Sequence, residues 1–241
     1  TSSLLPLRNA GKPVVVLAVI LQHSPYVLLA RPQAGIQHIH DLVGKRVMIE
    51  PLADEIFAYL KKEGLSRDRI TLVDHSLDPR DLLEGRVDAQ SAYVTHEPEF
   101  LDQQRFSYLA FTPRSVGIDF YGDNLFTLEG ELKAHPERVR AFREASLRGW
   151  NYAMTHPEEL ADLILARYSR LYTREHLLFE ARQMATLMRP ELVEIGYINP
   201  GRWRHIADTY ADLGMLGRDV SLAGFLYDPN PRKNLTWAYR A

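Results

Sequence analysis

The sequence predicts an α/β fold in two unequal parts, on three observations. Short β-rich runs alternate with helical runs from Val14 to about Thr112. Helix starts then crowd the second half, at Pro136, Pro157, Thr173 and Asn199-Pro200. A chain of 241 residues suits one large domain or two modest lobes. Alternation of strand and helix predicts a mainly parallel sheet.

In chain order, "TSSLLPLRNAGKP" reads as a polar helix start, a short helix and a turn. Val14 to Ile20 and Tyr26 to Ala30 lack a helical period and are expected as buried strands, with "QHSP" as a polar loop between them. A short helix around His40 to Leu42 precedes a Gly44-Lys45 turn and a strand from Arg46 to Ile49. Asp54 to Glu63 is a helix stopped by Gly64. Ile70 to Val73 is a strand, and Asp78-Pro79 starts a helix ending near Gly85. "RVDAQSAYV" is a strand and "HEPEFLDQQ" a helix. In the second half, Pro136 opens a helix with Val139, Phe142, Ser146 or Leu147, and Trp150 on one face. The helix from Pro157 carries Leu160, Leu163 and Ile164. The one capped by Thr173 aligns Leu177, Ala181, Met184 and Leu187 or Met188. The last, from Asn199-Pro200, aligns Trp203, Ile206, Tyr210 and Leu213. "NLTWAYRA" forms no clear element.

Bulk properties exclude several function classes. The apolar fraction of 46% and charged fraction of 25% are ordinary for a globular chain. A net charge of −2 offers no electrostatic footprint for nucleic acid or acidic lipid. The richest apolar run, "PVVVLAVILQ", ends at Gln22 and His23, far short of a membrane span. The chain has no cysteine, which removes disulfides, thiolate metal sites and a Cys nucleophile, and is compatible with an oxidising compartment. It starts at Thr1, without Met or a signal sequence, on a loop-to-helix junction, so upstream strands are expected.

Open parallel sheets bind ligands where strand tips and helix starts converge. Four such stretches stand out: "TSS" with Ser2 and Ser3, "QHSP" with Gln22, His23 and Ser24, "EPLADE", and "YVTHEP" with Tyr93 and Glu97. Together they suggest a polar cleft for a small molecule. No P-loop, G-x-G-x-x-G, G-x-S-x-G or H-E-x-x-H is present. The segment "VGIDFYGDNLFT" adds Phe120 and Tyr121 as flat faces for a ring and Asp119 and Asp123 as acceptors for amines. Gly117 and Gly122 allow close backbone approach. Alternatives stay open: a hinge strand with two core aromatics there, a plain polar loop at Gln22 to Ser24, and a surface loop at Tyr93 and Glu97. His38 and His40 have no third ligand nearby, so no metal set is assigned.

The runs "TSSLLPLRNAGKPVVVLAVILQHSP", "DLVGKRVMIE", "GRVDAQSAYVTHEP", "GIDFYGDNLFT", "HPERVRAFREASLRGWNYAMTHPEE" and "EIGYINPGRW" resemble the NMT1/thiamin-pyrimidine-type family. These are periplasmic solute-binding proteins related to the sulfonate- and taurine-binding ones. The resemblance implies a type II periplasmic-binding-protein fold, two lobes closing on a ligand about crossing strands. Residues 1–32 would be a remnant of lobe 1 and the first crossover, 33–112 lobe 2, and 113–241 the return crossover and the helical end of lobe 1. Tyr26 to Ala30 and a strand near Gly117 to Phe120 would be the crossovers.

Family members normally open with a strand, a helix and a strand before "TSS", so an upstream segment or a second chain would complete lobe 1. The eukaryotic synthase branch uses pyridoxal phosphate and iron. Its cysteine-rich motif has no counterpart here, so no cofactor is expected. The resemblance implies a non-enzymatic binding module for a small aminopyrimidine-like ligand, either serving a membrane permease or fused to a signalling module such as a diguanylate cyclase or histidine kinase. An end such as "NLTWAYRA" would suit a juxtamembrane junction. The alternative is an enzyme of the same fold acting on a pyrimidine or sulfonate.

Overall fold

A short helix, α1 (Leu4–Asn9), leads into two strands, β1 (Val14–Val19) and β2 (Tyr26–Ala30), whose residues are all buried. Continuous Val/Leu runs of this kind belong to strands covered on both faces. The computed structural model describes residues 1–228, so "NLTWAYRA" lies outside the described residues. Next come β3 (Arg46–Met48), α2 (Asp54–Lys62), β4 (Thr71–Val73), α3 (Arg80–Leu83), β5 (Ala89–Tyr93), α4 (Glu97–Gln103) and β6 (Leu109–Phe111). Acids in the first turn of α2 and lysines in its last complement the helix dipole.

The expected mainly parallel sheet is a mixed one. Its order is β4-β3-β5-β2-β6, with β3 parallel to β4 and β5, and β2 antiparallel to both β5 and β6. The strands joined through α2, α3 and α4 share one direction, as crossover helices require. Only β2, which enters without a preceding crossover helix, runs against them. A second sheet, which the alternation does not reveal, pairs β1 antiparallel with β7 (Asn124–Leu128), in register Val14↔Leu128 and with a bulge between Val16 and Ala18.

The strand expected near Gly117 to Phe120 does not form. Pro113–Val116 make a 3₁₀ turn that Gly117 closes at φ +77°, so the chain stays irregular until β7 begins at Asn124. The remainder is helical: α5 (Glu129–Ala134), α6 (Pro136–Thr155), α7 (Pro157–Arg167), α8 (Arg174–Met188) and α9 (Pro200–Asp212). Thr173 caps α8 by accepting from the His176 amide at 3.1 Å, and Asn199 caps α9 by accepting from Gly201 and Arg202. Trp203, Ile206 and Tyr210 of α9 are buried as their spacing predicts. On α6 the expected face is rotated. Phe142 is 61% exposed, whereas Val139 is buried and Leu147, Trp150 and Met154 pack inward. Arg143 sits within that inward stripe and donates to the Leu17 carbonyl at 2.7 Å.

One apolar cluster runs from the five-stranded sheet through α1 and β1 to α9. At its centre Phe120 meets Tyr210 at 4.9 Å between ring centroids, Tyr121 meets Trp203 at 5.3 Å, and Trp203 meets Phe225 at 5.1 Å. The segment carrying Phe120 and Tyr121 is laced to the end of β1. The Gly122 amide donates to the Leu21 carbonyl at 3.0 Å, and the Ile20 amide to the Asp123 carbonyl at 2.8 Å. A Cβ at Gly122 would lie 2.7 Å from the Leu21 Cβ and 2.9 Å from the His23 carbonyl oxygen. Gly122→Ala is therefore expected to lower folding stability by about 1–3 kcal/mol, since backbone must shift to admit the methyl. Urea denaturation measures this, and an unchanged midpoint would contradict the close approach.

Candidate functional site

The tips of β3 and β5, the irregular segment before β7, and helix α8 enclose a cleft of about 290 Å³. Its lining includes Glu50, Tyr93, His96, Glu97, Asp123 and Glu180. Of the side chains singled out from sequence, Tyr93, Glu97 and Asp123 meet here. The Tyr93 ring stands edge-on to Tyr26, 4.9 Å between centroids, and the Tyr26 hydroxyl donates to Glu50 at 3.0 Å. Glu97 accepts from the Tyr93 amide at 2.8 Å, which closes the turn from β5 into α4 and fixes this carboxylate at the cleft wall. Asp123 is open to solvent, yet surrounding protein raises its carboxyl above the usual range by desolvation. Both conditions hold together for a group inside a concave opening.

The other expected contacts are taken up by the protein itself. Phe120 and Tyr121 are sealed at 0% and 1% exposure, so they are core rings and not a platform for a ligand. Asp119 is not a free acceptor for an amine. Both of its oxygens lie 2.9 Å from His23 Nδ1, Arg202 approaches at 3.3 Å and Arg114 at 3.6 Å. Arg202 also lies over the Tyr121 ring at 4.5 Å, which ties this ion cluster to the aromatic core. Ser2 is buried and bonded to the Tyr210 hydroxyl at 3.0 Å, and Ser3 donates to the Leu52 carbonyl. Gln22 donates to the Tyr197 carbonyl at 3.1 Å, and Ser24 accepts from the Tyr26 amide at 3.2 Å. Polar side chains at strand tips must be satisfied when buried, and here the Tyr210 hydroxyl and backbone carbonyls and amides satisfy them.

The structure adds cleft residues that sequence reasoning passed over. His96 lies between Tyr93 and Glu97 in the same "YVTHEP" stretch. His176 and Glu180 are one turn apart on α8; Glu180 lines the cleft and its carboxylate holds His96 above the usual imidazole range, while His176 meets His96 outside that lining. Their i, i+4 spacing is the available sequence signal, but nothing in sequence ties them to His96, eighty positions earlier. A larger hollow, about 610 Å³, lies between α6 and the Glu194–Ile198 stretch. It borders the end of the described residues and touches none of the strand tips, so the smaller cleft is the candidate site.

Away from the cleft lining, Glu55 at the start of α2 is 2% exposed. Burial pushes its carboxyl up to about 8, against a hydrogen bond from Ser24 that pulls the other way. Its Oε1 has no hydrogen-bond partner.

Comparison with known proteins bears on the family and the fold. The NMT1/THI5 like family model matches residues 1–160. The riboflavin-binding protein RibY of Chloroflexus aurantiacus is 23% identical over 231 residues, 92% of this chain and 66% of that protein. The formylaminopyrimidine-binding protein of Halalkalibacterium halodurans is 23% identical over 164 residues, 66% of this chain and 50% of that protein. The chain thus spans half to two thirds of the length of these relatives. Among solved structures, the alkanesulfonate-binding protein SsuA of Xanthomonas axonopodis pv. citri, bound to MOPS, superposes with a TM-score of 0.63 at 15% identity, covering 92% of this chain and 76% of that one. The desulfurization enzyme DSZB superposes with a TM-score of 0.57 at 12% identity, covering 93% and 81%. The fold is that of the periplasmic binding proteins.

Glu55 supplies a direct test of the buried interior. Its folded-state pKa lies above the unfolded value of 4.5, so the fold holds a proton that the unfolded chain releases. The stabilisation is fully present below 4.5 and is lost as pH rises toward about 8. Glu55→Gln, neutral throughout, is expected to remove a pH-dependent stability loss of roughly a few kcal/mol across that window. Denaturation at a series of pH values checks this, and parallel curves for both proteins would contradict it.

Proposed function

The chain belongs to the NMT1/THI5-like family, and on that premise we propose that it is a binding module for a small nitrogenous heteroaromatic, with aminopyrimidines the leading class. The observation that carries this proposal is the meeting of Tyr93, Glu97 and Asp123 at one opening, although they come from separate segments. Tyr93 offers a ring contact, while Asp123 and Glu97 accept from ring amines. A hydrogen bond between a desolvated carboxylate and an amine contributes on the order of 1.5–3 kcal/mol. The cleft's volume, about 290 Å³, suits a single ring; a fused tricyclic ligand would require further opening. What RibY and the formylaminopyrimidine-binding protein are named for, two nitrogen-rich ring systems, supports the ligand class.

In this scheme ligand binding favours approach of α8 to the tips of β3 and β5, and the closed form is what a partner reads. The partner is a membrane permease, or a fused signalling module in the alternative arrangement. The location is periplasmic; no helix among the described residues is long and apolar enough to cross a membrane. Phe126 and Leu128 lie exposed on β7, where added strands from an upstream segment or a second chain would extend lobe 1.

A second reading, an enzyme acting on a pyrimidine or sulfonate, draws support from the likeness to DSZB. Binding of an aminopyrimidine without any change to it, followed by chromatography over long incubation, separates the two; product formation would favour the enzyme.

Asp123→Asn is expected to weaken an amine-bearing pyrimidine about tenfold by calorimetry. Because desolvation by the surrounding protein raises the Asp123 carboxyl, wild-type affinity should fall on acidification at a pH above the ordinary aspartate range, as protonation removes the acceptor. The Asn variant should lose that component. Equal affinities and equal pH profiles would remove Asp123 from the site.

A further inference from the structure

We propose that His96, His176 and Glu180 form a binding site for a first-row divalent cation, zinc foremost, that joins the two sides of the cleft. The three donor atoms all lie within 4.8 Å of one another. His96 Nδ1 is 2.8 Å from His176 Nε2 and 3.3 Å from Glu180 Oε1, and His176 Nε2 is 3.5 Å from Glu180 Oε1. A tetrahedral ion with bonds of about 2.1 Å sets its ligands about 3.4 Å apart. Two of the three separations already match that edge, and the third needs only a small parting of the imidazoles.

The surroundings are those of a ligand set. Glu99 bonds His176 Nδ1, which places the proton there and leaves the Nε2 lone pair facing the cluster. Carboxylate support of the far nitrogen is the usual partner of a metal-bound histidine. His176 is 7% exposed and is held by the Tyr172 ring, stacked on it at 4.6 Å, while the same ring meets His96 edge-on at 4.9 Å. Both imidazoles are therefore fixed in orientation before any ion arrives.

Two imidazoles and one carboxylate suit zinc and its neighbours better than calcium or magnesium, which prefer all-oxygen sets. Three protein ligands leave a fourth position for water or for a donor atom of a bound molecule. His96 and Glu180 line the cleft itself, and His96 and His176 line a groove of about 480 Å³ on the other side, so an ion can enter from solvent. His96 belongs to the turn after β5, whereas His176 and Glu180 belong to α8, so the ion would latch the helical half onto the five-stranded sheet. The site stands on these ligands alone and does not depend on which organic molecule the cleft takes.

The test is titration of metal-free protein with zinc chloride in competition with a chromophoric chelator, with no organic ligand present. One equivalent should bind and raise the melting temperature. His96→Ala and Glu180→Gln should each weaken zinc at least about tenfold, and Glu99→Gln about 10–100-fold through the supporting shell. Circular dichroism checks that the variants fold. If they do not, X-ray absorption of the zinc-loaded wild type decides: two imidazoles and a carboxylate around the metal support the site, and any other first shell overturns it. Less than one equivalent bound, or folded variants that bind like the wild type, would also overturn it.

Discussion

The aromatic packing of Phe120 and Tyr121 against Tyr210, Trp203 and Phe225 is the constraint on which the remaining architecture depends. Successive large rings at 120 and 121 go inward, and Gly122 lets the chain press against Leu21 and His23 with no room for a side chain. With that segment pinned, its two aspartates part ways. Asp119 is drawn to the His23 ring and to the guanidinium groups of Arg114 and Arg202, and Asp123 emerges at the opening between sheet and helices. Two acids four residues apart thus have different chemistry because the rings between them are immobilised. One neutralises charge inside the scaffold, and the other remains available.

The same division explains why so many polar residues at strand tips do not face a ligand. Ser2, Ser3, Gln22 and Ser24 sit where the two sheets and α9 converge, and their hydrogen-bonding capacity holds that junction together. Charge left over from this junction is concentrated in few places. Glu55 keeps its proton because burial there outweighs what Ser24 provides. The cleft at the tips of β3 and β5, by contrast, gathers carboxylates and imidazoles with access to water, which is where binding chemistry can be expressed.

Much of the fold was legible in sequence because its signals are local. Thr173 caps α8 as expected, α9 starts at Asn199-Pro200 as expected, and the spacing of Trp203, Ile206 and Tyr210 marks its buried face. The orientation of β2 was not legible, since strand direction depends on which neighbour it meets and not on its own residues. On α6, the aromatic Phe142 suggested the wrong stripe; a long Arg143 side chain that reaches the Leu17 carbonyl fills the inward position instead. Tyr93 and Glu97, singled out by strand-tip position, and Asp123, singled out in the aromatic and acidic stretch before β7, line one cleft. Phe120 and Tyr121 were misplaced because composition cannot tell a ring that faces a ligand from one that faces Trp203. His176 and Glu180 escaped notice because only the docking of α8 against the end of β5 brings them to His96.

The central claim is that an amine-bearing ring is held where the tips of β3 and β5 face α8. Hydrogen–deuterium exchange with and without a saturating aminopyrimidine tests it most directly. Slowed exchange confined to residues 90–97, 120–124 and 172–184 is the expected result. Protection at residues 194–198 and around Arg143, the walls of the larger hollow, would contradict it, as would an exchange pattern that the compound leaves unchanged.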